Sequence, residues 1–216
     1  MSFESFKFDS TWTDEEKKQV QDYYEDIFTK QEYNQYGISV QKNDVVVDCG
    51  ANVGVFTKFA LEKGAKKVIA FEAVEKNYEC FKNNFSNKKN VIPVHALVNH
   101  SAVDVVADGF TKKQYDLAKI YKEFNLKKIN FLKLDVESCE FGLLLNCSDE
   151  DILKVDKLVV EMHVCGWLKE KADEYHFVLK IIERLNCLNY VTFVKYNHET
   201  NVLITLYAVK KSVLGL

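Results

Sequence analysis

Apolar positions fall in two alternating rhythms along the chain. Short, nearly unbroken runs at Asp44–Asp48, Val68–Phe71, Ile129–Val136 and Leu158–Val164 suit strands buried on both faces of a parallel sheet. Between them the apolar residues recur at helical spacing: Val55, Phe56, Phe59 and Ala60; Val74, Tyr78, Phe81 and Phe85; Tyr115, Ala118, Tyr121 and Phe124; Phe141, Leu144 and Leu145; and Tyr175, Val178, Ile182 and Leu185 within a helix over 170–187. Strands alternating with helices predict an α/β domain with a parallel sheet. A third strand is expected at Val91–Leu97, and residues 101–110 have room for a short extra one. Tyr190–Tyr196 and Val202–Val209, parted by Asn197-His198-Glu199-Thr200-Asn201, predict a closing antiparallel hairpin. At the other end, Thr13-Asp14-Glu15-Glu16 has the form of a capping box. It opens a helix whose stripe is Val20, Tyr23, Tyr24, Ile27 and Phe28, with Gly37 beyond its end.

The stretch Asp44–Glu72 carries the first chemistry. A strand ends in Asp48, the turn Gly50-Ala51-Asn52-Val53-Gly54 follows, a helix ends near Gly64, and a second strand delivers Glu72. Two glycines and an asparagine tolerate positive φ, and the turn opens a helix with free amides. A carboxylate at Glu72 can accept both hydroxyls of a ribose. The spacing differs from the Gly-x-Gly-x-x-Gly of dinucleotide enzymes and is similar to the first motif of class I methyltransferases, whose ligand is S-adenosylmethionine. That ligand has a sulfonium and an amino-acid tail, so acids on both sides of the turn make chemical sense. The resemblance implies cofactor contacts from Asp48, Gly50, Ala51, Asn52, Gly54 and Glu72. The plainer alternative makes Asp48 and Glu72 helix caps in a generic α/β sheet.

Class I sheets run in the order 3-2-1-4-5-7-6, which puts strand 3 at an edge. Pro93, the only proline, falls in that strand, and proline is tolerated chiefly at edges because it cannot donate to the ladder. Residues His95–Asn99 would then lie near the adenine.

Composition narrows the remaining choices. The 216 residues suit one domain, divided as an N-terminal helical segment, 1–37, that could serve as an acceptor-side lid, and a cofactor-binding domain, 38–216. A net charge of −3 and a single arginine, Arg184, provide poorly for phosphate or base recognition, so no nucleic-acid partner is expected. Six cysteines without a Cys-x-x-Cys pair read as reduced residues of a cytoplasmic protein. No apolar run has the length of a membrane span, and no repeat or linker is visible.

DCGANVG, VIAFEAVEKNYE, FLKLDVESCEF and VVEMH together resemble the FkbM family of S-adenosylmethionine-dependent O-methyltransferases, over about Asp44 to His163. The family's fourth-strand motif, Lys-x-Asp-x-Glu-Gly-x-Glu, is matched by Lys133, Asp135, Glu137 and Glu140. Ser138 stands where that family usually has glycine, and Ala73 where a proline usually follows the ribose acid. The resemblance implies an acceptor hydroxyl on a sugar of a glycan, glycolipid or glycosylated metabolite.

Methyl transfer to a hydroxyl needs alignment with the methyl and removal of a proton. Strands 4 and 5 would bring Asp135, Glu137, Glu161 and His163 to the crevice at their carboxyl ends. His163 or Asp135 could take the proton, or the same cluster could bind a divalent cation such as magnesium. Asp135 as a helix cap and His163 as a core residue is the bland reading. Tyr23, Tyr24, Tyr33 and Tyr36 are candidates for acceptor contacts or for simple packing. Two further alternatives are a nucleic-acid methyltransferase, for which no basic aromatic face is evident, and a non-catalytic scaffold of the same fold.

Overall fold

The structure is a computed structural model describing residues 3–100, 111, 113–164, 171–196 and 203–216, with the side chains of 171–173 left aside. The expected extra strand within 101–110 and the hairpin turn at 197–201 lie outside the described residues.

Helix α1 (Asp14–Tyr24) starts where the capping box places it. Thr13 accepts from the Glu16 amide at 3.2 Å, and Glu16 accepts from the Thr13 amide at 2.7 Å. It runs on into a π-helical turn, Glu25–Thr29. The sheet then begins: β1 (Val45–Cys49), α2 (Val55–Glu62), β2 (Lys67–Glu72), α3 (Glu75–Phe85) and β3 (Val91–His95). The third apolar run does not continue as one strand. Leu97–Val98 (β4) turns away and pairs with Gln114–Tyr115 (β5) in a separate two-stranded sheet. Tyr115 therefore precedes α4 (Leu117–Glu123) instead of belonging to it, and Asp116 caps that helix through the Lys119 amide. The chain proceeds through β6 (Ile129–Leu134), α5 (Glu140–Asn146), α6 (Asp149–Ile152), β7 (Val155–His163), α7 (Lys171–Cys187), β8 (Tyr190–Tyr196), β9 (Leu203–Lys210) and α8 (Lys211–Leu214).

The large sheet has the order β3-β2-β1-β6-β7-β9-β8. Once β4 and β5 are set apart in their own sheet, this is the expected 3-2-1-4-5-7-6. The first five strands of that order are mutually parallel, and β9 is antiparallel to both β7 and β8. Pro93 sits in the edge strand opposite Ala70, where its missing donor breaks no ladder bond on the open side.

Neighbouring residues of the central strands face opposite layers, as two-sided burial requires. Val47, Ile69 and Leu132 pack with Leu117, Ile120, Leu143 and Val178 of α4, α5 and α7. Val46, Val68 and Phe131 pack with Phe56, Phe59 and Phe81 of α2 and α3. The N-terminal segment belongs to this second layer. Phe6, Trp12, Val20, Ile27 and Tyr33 are buried in it, so the segment contributes to the core. Among the described residues no helix is long and apolar enough to cross a membrane. The described cysteines 49, 80, 139, 147 and 187 are all free thiols.

Candidate active site

The glycine turn has the backbone its residues suggest: Gly50, Asn52 and Gly54 have φ of +79°, +51° and +99°. Its attachments explain why. The Gly50 and Ala51 amides both donate to the Phe71 carbonyl, at 3.0 and 2.8 Å, so the turn is tied to the end of β2. A Cβ on Gly50 would lie 1.6 Å from the Asp135 carbonyl oxygen. The need for glycine there comes from the end of β6 closing on the turn. Gly54 is hemmed in by the Phe81 and Phe85 rings of α3.

Glu72 sits at the carboxyl end of β2 and is buried. One carboxylate oxygen accepts from the Asn52 amide at 2.7 Å and the other from the Val74 amide at 2.8 Å. Burial raises its pKa, and those two amides act in the opposite direction. Each oxygen keeps a further lone pair for a ligand hydroxyl.

An open cleft lies over the carboxyl ends of β1, β2 and β6. Its apolar wall is Phe71, Ala73, Val74, Ala96, Leu97 and Val98; Glu72 and Asn52 stand on one side, and Asp135, Glu137 and Tyr23 on another. The diversion of β4 away from the main sheet is what turns Ala96–Val98 toward this space. His95 itself stacks on Tyr78, with centroids 4.7 Å apart, and contacts the Ala73 carbonyl at 3.1 Å.

The sequence-derived cofactor set divides accordingly. Gly50, Asn52 and Glu72 line the cleft. Ala51 lines a small adjoining cavity with Val20, Tyr23 and Lys133, and Gly54 packs against α3. Asp48 is wholly buried beneath the turn and lines neither space. One of its oxygens accepts from the Thr57 hydroxyl at 2.6 Å, and the other lies 3.6 Å from the Lys133 ammonium. Burial raises its pKa, against the pull of Lys133. The reason is positional: Asp48 belongs to the strand proper, so its side chain enters a helix layer before the chain reaches the cleft.

On the acceptor side, Asp135 and Glu137 line the cleft, whereas His163 and Glu161 stand back from it. The His163 ring lies between two carboxylates, Nδ1 at 3.2 Å from Glu140 and Nε2 at 3.5 Å from Glu137. Its burial works against charge, but the Glu140, Asp135 and Glu137 carboxylates outweigh it and raise the pKa to about 10. At neutral pH the ring is an imidazolium, which removes it as the first acceptor of a proton. Glu140 is fully buried and also accepts from the Val136 amide at 2.8 Å, so one side chain fixes both the imidazole and the turn after β6. Glu161 accepts from the Tyr33 hydroxyl at 3.0 Å. Burial, then the Asp135 and Glu32 charges, raise its pKa to about 8. Of the four tyrosines, Tyr23 lines the cleft and Tyr33 holds Glu161; Tyr24 stacks on Phe28, and Tyr36 on Phe193.

Glu140 and Lys133 match the fourth-strand motif, but the motif assigned neither of them a role at the site. Both face inward from regular elements and look like core in a periodicity argument, except that each is a charge at a core position. Ser138, the departure from the family glycine, has φ +77°, and Glu137 before it has φ +51°. The serine keeps a conformation that glycine would adopt without strain.

The cleft suits S-adenosylmethionine on donor chemistry: an apolar slot, a carboxylate placed for ribose hydroxyls, and acids where a sulfonium and an ammonium need counter-charge. Comparison with known proteins agrees. The Methyltransferase FkbM domain family matches residues 96–188. A 31-O-demethyl-FK506 methyltransferase, FkbM, of Streptomyces tacrolimicus is 25% identical over 190 residues, covering 65% of this chain and 73% of that protein. Among solved structures, Aeropyrum pernix fibrillarin with natively bound S-adenosyl-L-methionine aligns with a TM-score of 0.53 at 12% identity, over 83% of this chain and 72% of that one. The fibrillarin pre-rRNA processing protein of Methanococcus jannaschii also gives 0.53, at 13% identity over 79% and 68%. At such identities the structural likeness speaks for the fold alone, and the sequence relatives carry the likeness to the FkbM methyltransferases. The protein is an S-adenosylmethionine-dependent methyltransferase, similar over part of its length to the FkbM domain.

Proposed function

We propose that the protein O-methylates a neutral hydroxyl, on a sugar in a glycan, glycolipid or glycosylated metabolite. The observation that carries this reading is the acidity of the acceptor side. Asp135 and Glu137 line the cleft, Glu161 and Glu32 lie close enough to act on the groups there, and the two cations beside them are already engaged, Lys133 by Asp135 and the His163 imidazolium by Glu137 and Glu140. A polyanion would meet repulsion, whereas ring hydroxyls can donate to these carboxylates and an aromatic such as Tyr23 can cover an apolar sugar face. Arg184 offers nothing to a phosphate, because it ties Asp149 to the Leu144 and Cys147 carbonyls at the far side of α5. The Streptomyces relative, named for methylation at an oxygen, favours an O-acceptor over an N-acceptor.

S-adenosylmethionine supplies a methyl on a sulfonium, which makes the carbon electrophilic. Glu72, with Asn52 beside it, would hold its ribose, and the Phe71 to Val98 wall its adenine. Asp135 would take the proton of the acceptor hydroxyl as the methyl that the bound cofactor supplies passes to its oxygen, since it lines the cleft and His163 does not. His163 keeps Glu137 and Glu140 in place from behind.

A divalent cation is a second reading, favoured by one observation. Asp135, Glu140 and His163 each offer a ligand atom, all within 4.8 Å of one another, and one Glu140 oxygen is buried without a partner. A cation there would displace the His163 proton and lower the acceptor's pKa.

Transfer of labelled methyl to a panel of neutral sugars and glycan fractions, with and without EDTA, tests both. We expect product on a neutral hydroxyl with little salt dependence, and a turnover loss of about two to four orders of magnitude in Asp135→Asn at unchanged cofactor affinity. Methylation of RNA and of no glycan fraction overturns the acceptor. Loss with EDTA that magnesium or manganese restores replaces the carboxylate base with the metal.

A further inference from the structure

We propose that Lys133 is a positioning residue that sets the cofactor turn and the acceptor-side carboxylate against each other. Lys133 lies on β6 with its side chain 4% exposed, a place where an ammonium needs a reason to be. Its Nζ donates to the Gly50 carbonyl at 2.6 Å and lies 3.1 Å from an Asp135 oxygen and 3.6 Å from an Asp48 oxygen. The ammonium thus reaches oxygens of three segments, with a hydrogen bond to the turn, an ion pair to the residue after β6 and a longer charge contact to the end of β1. The ammonium also lies 5.7 Å from the centroid of the Tyr33 ring, whose hydroxyl holds Glu161.

Counter-charge alone does not account for this arrangement. A lysine needed only to neutralise Asp48 would make that its shortest contact. Here the shortest is to a neutral carbonyl, in the residue whose amide is already anchored to Phe71. The Gly50–Ala51 peptide is thereby held from both ends, its carbonyl by Lys133 and its Ala51 amide by the Phe71 carbonyl, which fixes its plane and with it the direction of the Asn52 amide that Glu72 accepts. The same Nζ holds Asp135, which lines the cleft, so turn and base share one anchor. A sheet strand provides a rigid base for such an anchor, and a short side chain could not reach both partners.

The test separates position from charge, and it rests on the cofactor, so it stays informative whatever the acceptor proves to be. Asp48→Asn and the pair Asp48→Asn with Lys133→Met remove the fully buried anion first and then the cation, so that the carboxylate left without Lys133 is Asp135, which faces the open cleft. Urea midpoints measure stability, and calorimetric titration measures the dissociation constants of S-adenosylmethionine and S-adenosylhomocysteine. We expect the added Lys133→Met to leave the urea midpoint of the Asp48→Asn background little changed while weakening both ligands by about 10- to 100-fold, the range of a lost charged hydrogen bond. Hydrogen exchange at the amides of residues 50–54 should quicken in the same variant. Unchanged ligand affinity and unchanged exchange on adding Lys133→Met would overturn the proposal and leave Lys133 a counter-ion. If the double variant is too unstable to titrate, Lys133→Arg decides: a bulkier cation keeps charge but not the Gly50 geometry, so wild-type affinity in that variant also overturns it.

Discussion

Replacing Gly50 by alanine should damage the protein far more than the same change at Gly64, although both glycines have positive φ. At Gly64 (φ +90°) an added Cβ meets only Lys42, no closer than 3.4 Å, so the cost is the left-handed conformation itself, about 1–2 kcal/mol. At Gly50 (φ +79°) the same conformational cost applies, and the Cβ would also lie 1.6 Å from the Asp135 carbonyl oxygen. Relief requires the turn and the end of β6 to part by about 1.4 Å, since real Cβ contacts do not fall below 3.0 Å. Three hydrogen bonds hold the turn and the end of β6 where they are and resist that movement: Gly50 amide to the Phe71 carbonyl of β2, Asp135 amide to Cys49, and Lys133 to the Gly50 carbonyl. At about 1 kcal/mol each, they bring the total to roughly 4–5 kcal/mol. For a chain of this size that is a fall in Tm of roughly 8–20 °C, against about 2–8 °C for Gly64→Ala. Calorimetry or circular dichroism on the ligand-free variants measures both. Similar losses at the two positions would refute the close approach of β6, and with it the view that Gly50 is there for packing.

S-adenosylmethionine at about 100 times its dissociation constant should stabilise the protein by roughly 2.7 kcal/mol, and Glu72→Ala should abolish that shift; a shift with NAD in its place would contradict the cleft assignment. Stability should fall as pH rises. The Glu161 pKa is raised from 4.5 to about 8, so its contribution declines from pH 4.5 upward; that of His163, raised from 6.5 to about 10, is complete below 6.5 and is lost toward 10. Glu161→Gln should flatten the lower part of that decline, and a Tm that climbs between pH 5 and 9 would contradict both environments. Ser138→Gly should raise Tm by a few degrees by removing the left-handed cost at φ +77°, on the order of 1 kcal/mol; a lower Tm would show that the serine side chain supports the mouth.

The fold was readable because buried strands and amphipathic helices write different periods, and because Pro93 and the capping box at Thr13 mark one edge and one start. The turn was readable for a local reason: Gly50, Asn52 and Gly54 are the residue types that accept positive φ. What escaped reading was nonlocal. That Asp48 points beneath the turn, or that a Gly50 Cβ would strike β6, depends on a neighbour some 85 residues away in the chain. The departure of Leu97–Val98 from β3 depends on Gln114–Tyr115, and no period in the apolar run announces it. His163 and Glu140 sit 23 positions apart, and only the parallel neighbours β6 and β7 bring them together, so the charge of the ring could not be foreseen from its type.

The consecutive left-handed residues Glu137 and Ser138 bear on how the protein ages and adapts. Their shape is imposed from outside, by the Glu140 carboxylate gripping the Val136 amide and by the His163 ring, and not by their own preference. The cofactor turn is built of residue types that accept its φ values and is tied down as well; Glu137 and Ser138 are not such types, so the acceptor rim depends on its ties alone. Hydrogen exchange on warming should therefore quicken at residues 136–140 before residues 50–54, and acceptor selectivity should be the property that distant destabilising substitutions change first.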